Sequence, residues 1–96
     1  MAESAPRTIT LAVHGPIERA DLAGLCARIC RLLEQATPEI AFCDVVGIAP
    51  DAVTVEALAR LQLAARHYGC RVRLRHASSE LLDLVAFMGL SDVLPG

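Results

Sequence analysis

Cys43-Asp44-Val45-Val46-Gly47-Ile48-Ala49-Pro50-Asp51-Ala52-Val53-Thr54-Val55-Glu56-Ala57-Leu58 is the stretch on which the fold turns. An apolar run reading as a strand over Ile40–Val46 meets a turn at Gly47–Asp51, and an amphipathic pattern starts directly after an acidic residue. Nearly continuous apolar character marks a central strand covered on at least one side. The pattern predicts a helix from about Thr54 to His67, with Val55, Leu58, Leu61, Ala65 and Tyr68 as its core stripe and Gly69 as its stop. Free backbone N–H groups at the start of such a helix make the turn a natural place for an anion, a phosphate or a partner's acidic group.

Outward from this unit the chain repeats the alternation. Thr8–Val13 reads as a strand, ended by His14-Gly15-Pro16. Asp21 is placed to cap a helix over Leu22–Gln35, in which Leu22, Leu25, Cys26, Ile29, Leu32 and Leu33 share one face. Arg71-Val72-Arg73-Leu74-Arg75 alternates strictly, and Ser79–Met88 reads as a third helix with Leu81, Leu84, Val85 and Met88 on one side. Leu90–Leu94 is expected to pack as a tail. The order β-α-β-α-β-α requires parallel neighbours joined by right-handed crossovers. Three arginines on one side of a strand cannot all be buried without partners. The expected fold class is therefore an α/β two-layer sandwich, a small mainly parallel or mixed sheet with helices on one face and the other face partly wet. Asp44, if it points to the arginine side, is placed to pair with Arg73 or a neighbour. Residues 1–7 read as a flexible polar tail without the apolar core of a signal peptide, and residues 8–96 as one domain.

Composition narrows the function. The 96 residues are 54% hydrophobic with a mean hydropathy of +0.46, so apolar surface is expected to remain for a partner or a homodimer. No stretch approaches the ~20 apolar residues of a membrane span. A net charge of −2 and 3% aromatic residues argue against nucleic acid, which needs a basic field and rings for stacking. All nine basic residues are arginine, which removes lysine nucleophiles and Schiff-base chemistry. The chain shows no Gly-rich phosphate loop, no metal-ligand set and no nucleophile–base pair, so no enzyme and no cofactor is expected. A receiver-type phosphodomain would need acidic residues after the first strand and a late lysine, whereas this strand ends in His14-Gly15.

Five pieces together resemble a STAS domain, the fold of anti-sigma factor antagonists, across about residues 8–94. They are the first strand running into Gly15-Pro16-Ile17, the central Phe42-Cys43-Asp44-Val45, the helix segment Ala57–Arg66 with Gly69-Cys70, the closing Ser79-Glu80-Leu81-Leu82, and the Gly89-Leu90-Ser91-Asp92-Val93-Leu94 tail. The family typically reads Asp-Ser-Ser/Thr-Gly-Leu where this chain reads Asp51-Ala52-Val53-Thr54-Val55. The resemblance implies a cytoplasmic, non-enzymatic module that regulates transcription by binding an anti-sigma factor or kinase. It equally suits the STAS subunit of a bacterial ABC phospholipid transporter, which contacts the ATPase. In the family a hydroxyl at this helix start is phosphorylated and the charge switches partner binding. Ala52 and Val53 occupy the acceptor positions and cannot take a phosphoryl group. Thr54 is either a displaced acceptor or, with Asp51, only a helix cap. The second expected departure from the family pattern is a short N-terminus without the family's usual first strand.

By the same resemblance the partner surface comprises Asp51, Thr54, Glu56, Arg60, Leu63 and His67. Leu63 lies off the core stripe among Glu56, Arg60 and His67, as a docking spot, as an ordinary exposed leucine, or as a residue covered by a tail. The cysteines read as free thiols: Cys26 and Cys30 are four apart on a helix, and Cys43 and Cys70 are core packing. His14, His67 and His76 lack ligand spacing. The stripe Arg71, Arg73, Arg75 reads as a solvated face paired with Asp44 or Glu39, or as a surface for an acidic partner, an anionic ligand or headgroups.

Overall fold

The computed structural model describes residues 5–15 and 17–94. Three parallel strands, β1 (Thr8–Ala12), β2 (Ile40–Asp44) and β3 (Arg71–Arg75), lie in sequence order across one sheet. Three helices connect and follow them: α1 (Leu22–Ala36), α2 (Ala52–His67) and α3 (Ser79–Phe87). A parallel pair needs a crossover between its strands, and α1 and α2 supply the two crossovers. The alternation expected from the sequence is present, and the chain is a two-layer α/β sandwich.

Burial shows where the core sits. Ala41, Cys43 and Val72 are buried on the helix side of the sheet, with Ile9, Leu11 and Leu74 packed against them. Their alternate neighbours on the edge strands, Thr8, Thr10, Ala12, Arg71, Arg73 and Arg75, are exposed. The open face is completed by half-buried Ile40, Phe42 and Asp44. The sheet is therefore helix-covered on one side and wet on the other. Helix α2 is the hub, packing on α1, β3 and α3. It buries Val55, Ala57, Leu58, Leu61 and Ala65 completely or nearly so.

Element ends differ from the sequence reading by one or two residues, with reasons. Helix α2 begins at Ala52, because Asp51 in an extended conformation accepts the Thr54 N–H and starts the helix early. Asp21 does not cap α1; it ends a single 3₁₀ turn, Arg19–Asp21, and its side chain accepts no bond from the helix. Helix α1 ends on Thr37, a β-branched residue at φ 44 whose N–H reaches the Leu33 carbonyl. The C-terminus of α2 is better served. Gly69, at φ 70, donates to Arg66 while Cys70 donates to the Ala65 carbonyl, a Schellman arrangement that needs the left-handed conformation.

Two positions expected in helix stripes are not covered: Leu32 is 45% exposed and Tyr68 37%. Each lies at the margin of its apolar arc, where the neighbouring element no longer reaches. Met88, expected to pack as part of the third stripe, is likewise exposed just past the end of α3. The tail does pack: Leu94 is buried and Leu90 and Val93 lean on the core. Of the residues read as an N-terminal tail, 1–4 lie outside the described residues, while the Arg7 carbonyl already accepts the Glu39 and Ile40 N–H groups.

Candidate functional site

The turn between β2 and α2 is built by two aspartates. Asp44, the last residue of β2, accepts the Val46 N–H at 3.1 Å, and the Ile48 N–H closes the turn on Val45. Gly47 sits at φ 73, the conformation that turn requires at its third residue. Asp51 then accepts the Thr54 N–H at 2.8 Å. The tip that looked ready to receive an external anion thus already carries its own carboxylate, worth about 0.5–2 kcal/mol as a cap.

Downstream of the cap, exposure falls with each step. Ala52 is exposed, Val53 half-buried, and Thr54 is buried at 1%. Thr54, named as a partner contact and as either a displaced acceptor or, with Asp51, only part of the helix cap, gives its N–H to the Asp51 cap and turns its side chain to the core beside Val55. The structure thus separates it from the other residues named for partner binding.

Four of the other five lie together, and Asp51 stays apart at the cap. Glu56, Arg60, Leu63 and His67 recur at four, three and four residues along α2 and form one row. Leu63 is 59% exposed in its middle. The Glu56 carboxylate bridges two guanidiniums, Arg19 at 2.6 Å and Arg60 at 3.0 Å, tying the 3₁₀ turn to α2. His67 packs its ring edge-on against Tyr68 with centroids 5.4 Å apart. The row therefore presents an apolar centre with a fixed polar pair above it and an aromatic pair below. On α1, Cys26 lies within the electrostatic reach of Arg60; burial and then neighbouring Cys30 raise its pKa, and Arg60 opposes them.

The remaining candidates scatter. His14 lines an open cavity of about 450 Å³ beside β1 with Asp21 and Arg28. Asp44 does point to the arginine side, opposite Arg75 in the register, but its side-chain partner is His76 Nδ1 at 3.2 Å rather than Arg73. The Val46 N–H and then His76 hold its carboxyl below the usual carboxylate range. Arg75 stacks its guanidinium 4.0 Å from the centre of the Phe42 ring instead of pairing with an acid. All four cysteines are free thiols, and burial pushes Cys43 up to about 11, with Asp44 adding to it. Among the described residues no cluster of three or more His, Cys, Asp or Glu side chains is placed to hold a metal ion, and no helix is long and apolar enough to cross a membrane.

One residue with a defined task escaped the sequence reading. Gln62, 3% exposed, donates from Nε2 to the carbonyls of Val72 and Val93 at 3.0 and 2.9 Å and accepts the Val72 N–H at 2.9 Å. The signal was present: Gln62 falls at four residues from Leu58 and three from Ala65, a polar group inside a buried stripe.

No family model and no curated protein matches the chain.

Proposed function

We propose that this chain is a non-enzymatic, cytoplasmic protein-interaction module that resembles an anti-sigma factor antagonist and recognises a protein partner with the outer row of α2. Exposed Leu63, framed by the Arg19–Glu56–Arg60 pairs and by His67, is the observation that carries the reading. An apolar side chain whose polar surroundings are already paired loses little on desolvation when a partner covers it. Ala52 and Val53 offer no hydroxyl, and the Thr54 side chain is enclosed, so partner binding is constitutive rather than switched by phosphate at this tip.

The test is capture from the native host with the full chain, followed by peptide identification, using wild type and Leu63→Glu side by side. Wild type is expected to retain a single dominant partner, and Leu63→Glu to weaken it at least about tenfold while the fold is kept. A sigma-regulator kinase in the eluate supports the antagonist role; an ABC ATPase with its permease replaces it with the transporter-subunit role. Equal capture by both forms refutes the α2 surface. Incubation of the chain with the captured kinase and ATP is expected to leave residues 51–55 unmodified, and phosphate on Thr54 by mass spectrometry contradicts the constitutive reading.

A further inference from the structure

A groove runs along the outer edge of β3, at the end of α2 remote from Asp51. The helix has sixteen residues, so about 20 Å of its axis separates the two. The groove encloses about 410 Å³ and is lined by Gln62, Arg66, Arg71, Val72, Arg73 and Asp92. Arg66 comes from the last turn of α2, whereas Arg71 and Arg73 leave the open face of β3, two residues and about 7 Å apart. Asp92 belongs to the turn after α3. Three guanidiniums thus face one carboxylate, a surplus of two positive charges. None of the three makes an ion pair among the described residues.

The floor of the groove is fixed. Both N–H donors of the Gln62 amide are spent on Val72 and Val93, and its oxygen takes the Val72 N–H. A ligand therefore meets guanidinium donors rather than amide donors. Guanidiniums present planar forks suited to the terminal oxygens of phosphate, and three of them offer more donors than a carboxylate has lone pairs to accept. A phosphoryl monoester carries about −1.5 to −2 at neutral pH, which matches the local surplus.

We propose that this groove binds a phosphate monoester dianion, on a small molecule or on a phosphorylated peptide. Arg71 and Arg73 clamp two terminal oxygens, and Arg66 reaches the third from the helix layer. Asp92 limits the charge the groove accepts and favours an ester with a hydroxyl or N–H near its phosphate. This site is independent of the α2 partner row, and either can fail alone.

The experiment follows the arginine Nε–H signals of the ¹⁵N-labelled full chain at low salt and neutral pH. The probes are inorganic phosphate, and a phosphoserine peptide with its unphosphorylated twin. Saturable shifts are expected at Arg66, Arg71 and Arg73, with dissociation constants below about 10 mM for at least one phosphate probe and no saturation by the twin. Tighter binding of inorganic phosphate identifies a small-molecule source, and tighter binding of the phosphopeptide a protein-borne one. Arg71→Gln with Arg73→Gln is expected to weaken binding at least about tenfold, and Arg66→Gln, on a different element, several-fold. Arg28→Gln with Arg31→Gln, on α1, leaves it unchanged, and Asp92→Asn tightens it. Shifts spread evenly over all arginines, no saturation by either phosphate probe, or equal binding by the β3 double variant would overturn the proposal.

Discussion

The two edges of the sheet are treated in opposite ways. In β3 the Arg71 and Arg75 backbone groups bond to β2, so Val72 and Leu74 turn theirs outward. Gln62 takes both the N–H and the carbonyl of Val72 and joins them to Val93 in the tail. In β1 the bonds of Arg7 and Val13 to β2 leave Thr8, Thr10 and Ala12 facing outward, and no described residue hydrogen-bonds to them. One edge is closed at Val72 by a single side chain; the other, Thr8-Ile9-Thr10-Leu11-Ala12, is an uncharged run whose outward groups meet water. A sheet edge invites strand addition unless something occupies it, and here one buried glutamine does so on one side only.

Gln62→Leu is the most disruptive way to probe this contrast. It keeps the apolar volume but leaves three backbone groups of Val72 and Val93 without partners. At about 1–3 kcal/mol for each orphaned buried group, with partial relaxation, a loss of about 2–4 kcal/mol is expected, read as a lower urea midpoint. A change below about 0.5 kcal/mol would mean the seal is dispensable. Amide hydrogen exchange tests the same contrast without mutation. The Val72 N–H is expected to exchange at least about a hundredfold more slowly than that of Thr10. Similar protection would show that the β1 edge is covered in solution.

Smaller effects refine the picture at the head of β1 and in the middle strand. Arg7 donates to the Thr37 carbonyl, so the strained end of α1 anchors the entry to the open edge. Thr37→Gly relieves about 1–2 kcal/mol of left-handed strain and adds about 0.5–1 kcal/mol of unfolded-chain entropy. A net gain of about 0.5–1 kcal/mol is expected in thermal unfolding. A loss instead would assign the Thr37 side chain a stabilising contact. Asp44 gives the least effect. Its folded pKa is lowered, so its contribution is complete above the ordinary carboxylate pKa and disappears as pH falls through the lowered one. Asp44→Asn should therefore be slightly less stable than wild type near neutral pH and converge with it in acid, as read by urea midpoints across pH. Divergence in acid would contradict the His76 and Val46 contacts.

Periodicity made the architecture legible because each element buries one clear face. Alternation in β3 located the wet side of the sheet, and the run at Ile40–Val46 located its centre. Local signals served less well where long-range geometry decides. Asp21 has the chemistry of a cap but sits in a 3₁₀ turn, and Thr54 looks like a surface hydroxyl until the early start of α2 rotates it inward. Leu63 was legible as off-stripe. The period places Gln62 inside the buried stripe as a polar group that needs partners, but nothing local says that these are both groups of a strand edge ten residues ahead.

The stack of Arg75 on Phe42 has a wider consequence. A sheet clothed on a single side ordinarily needs another layer over its bare hydrocarbon, or it sticks to its neighbours. Here the Phe42 ring on the bare side is roofed by a delocalised cation from the adjacent strand, and Arg71 and Arg73 stand exposed on the same face. The architecture can therefore stop at two layers, because its missing third layer is replaced by a film of positive charge.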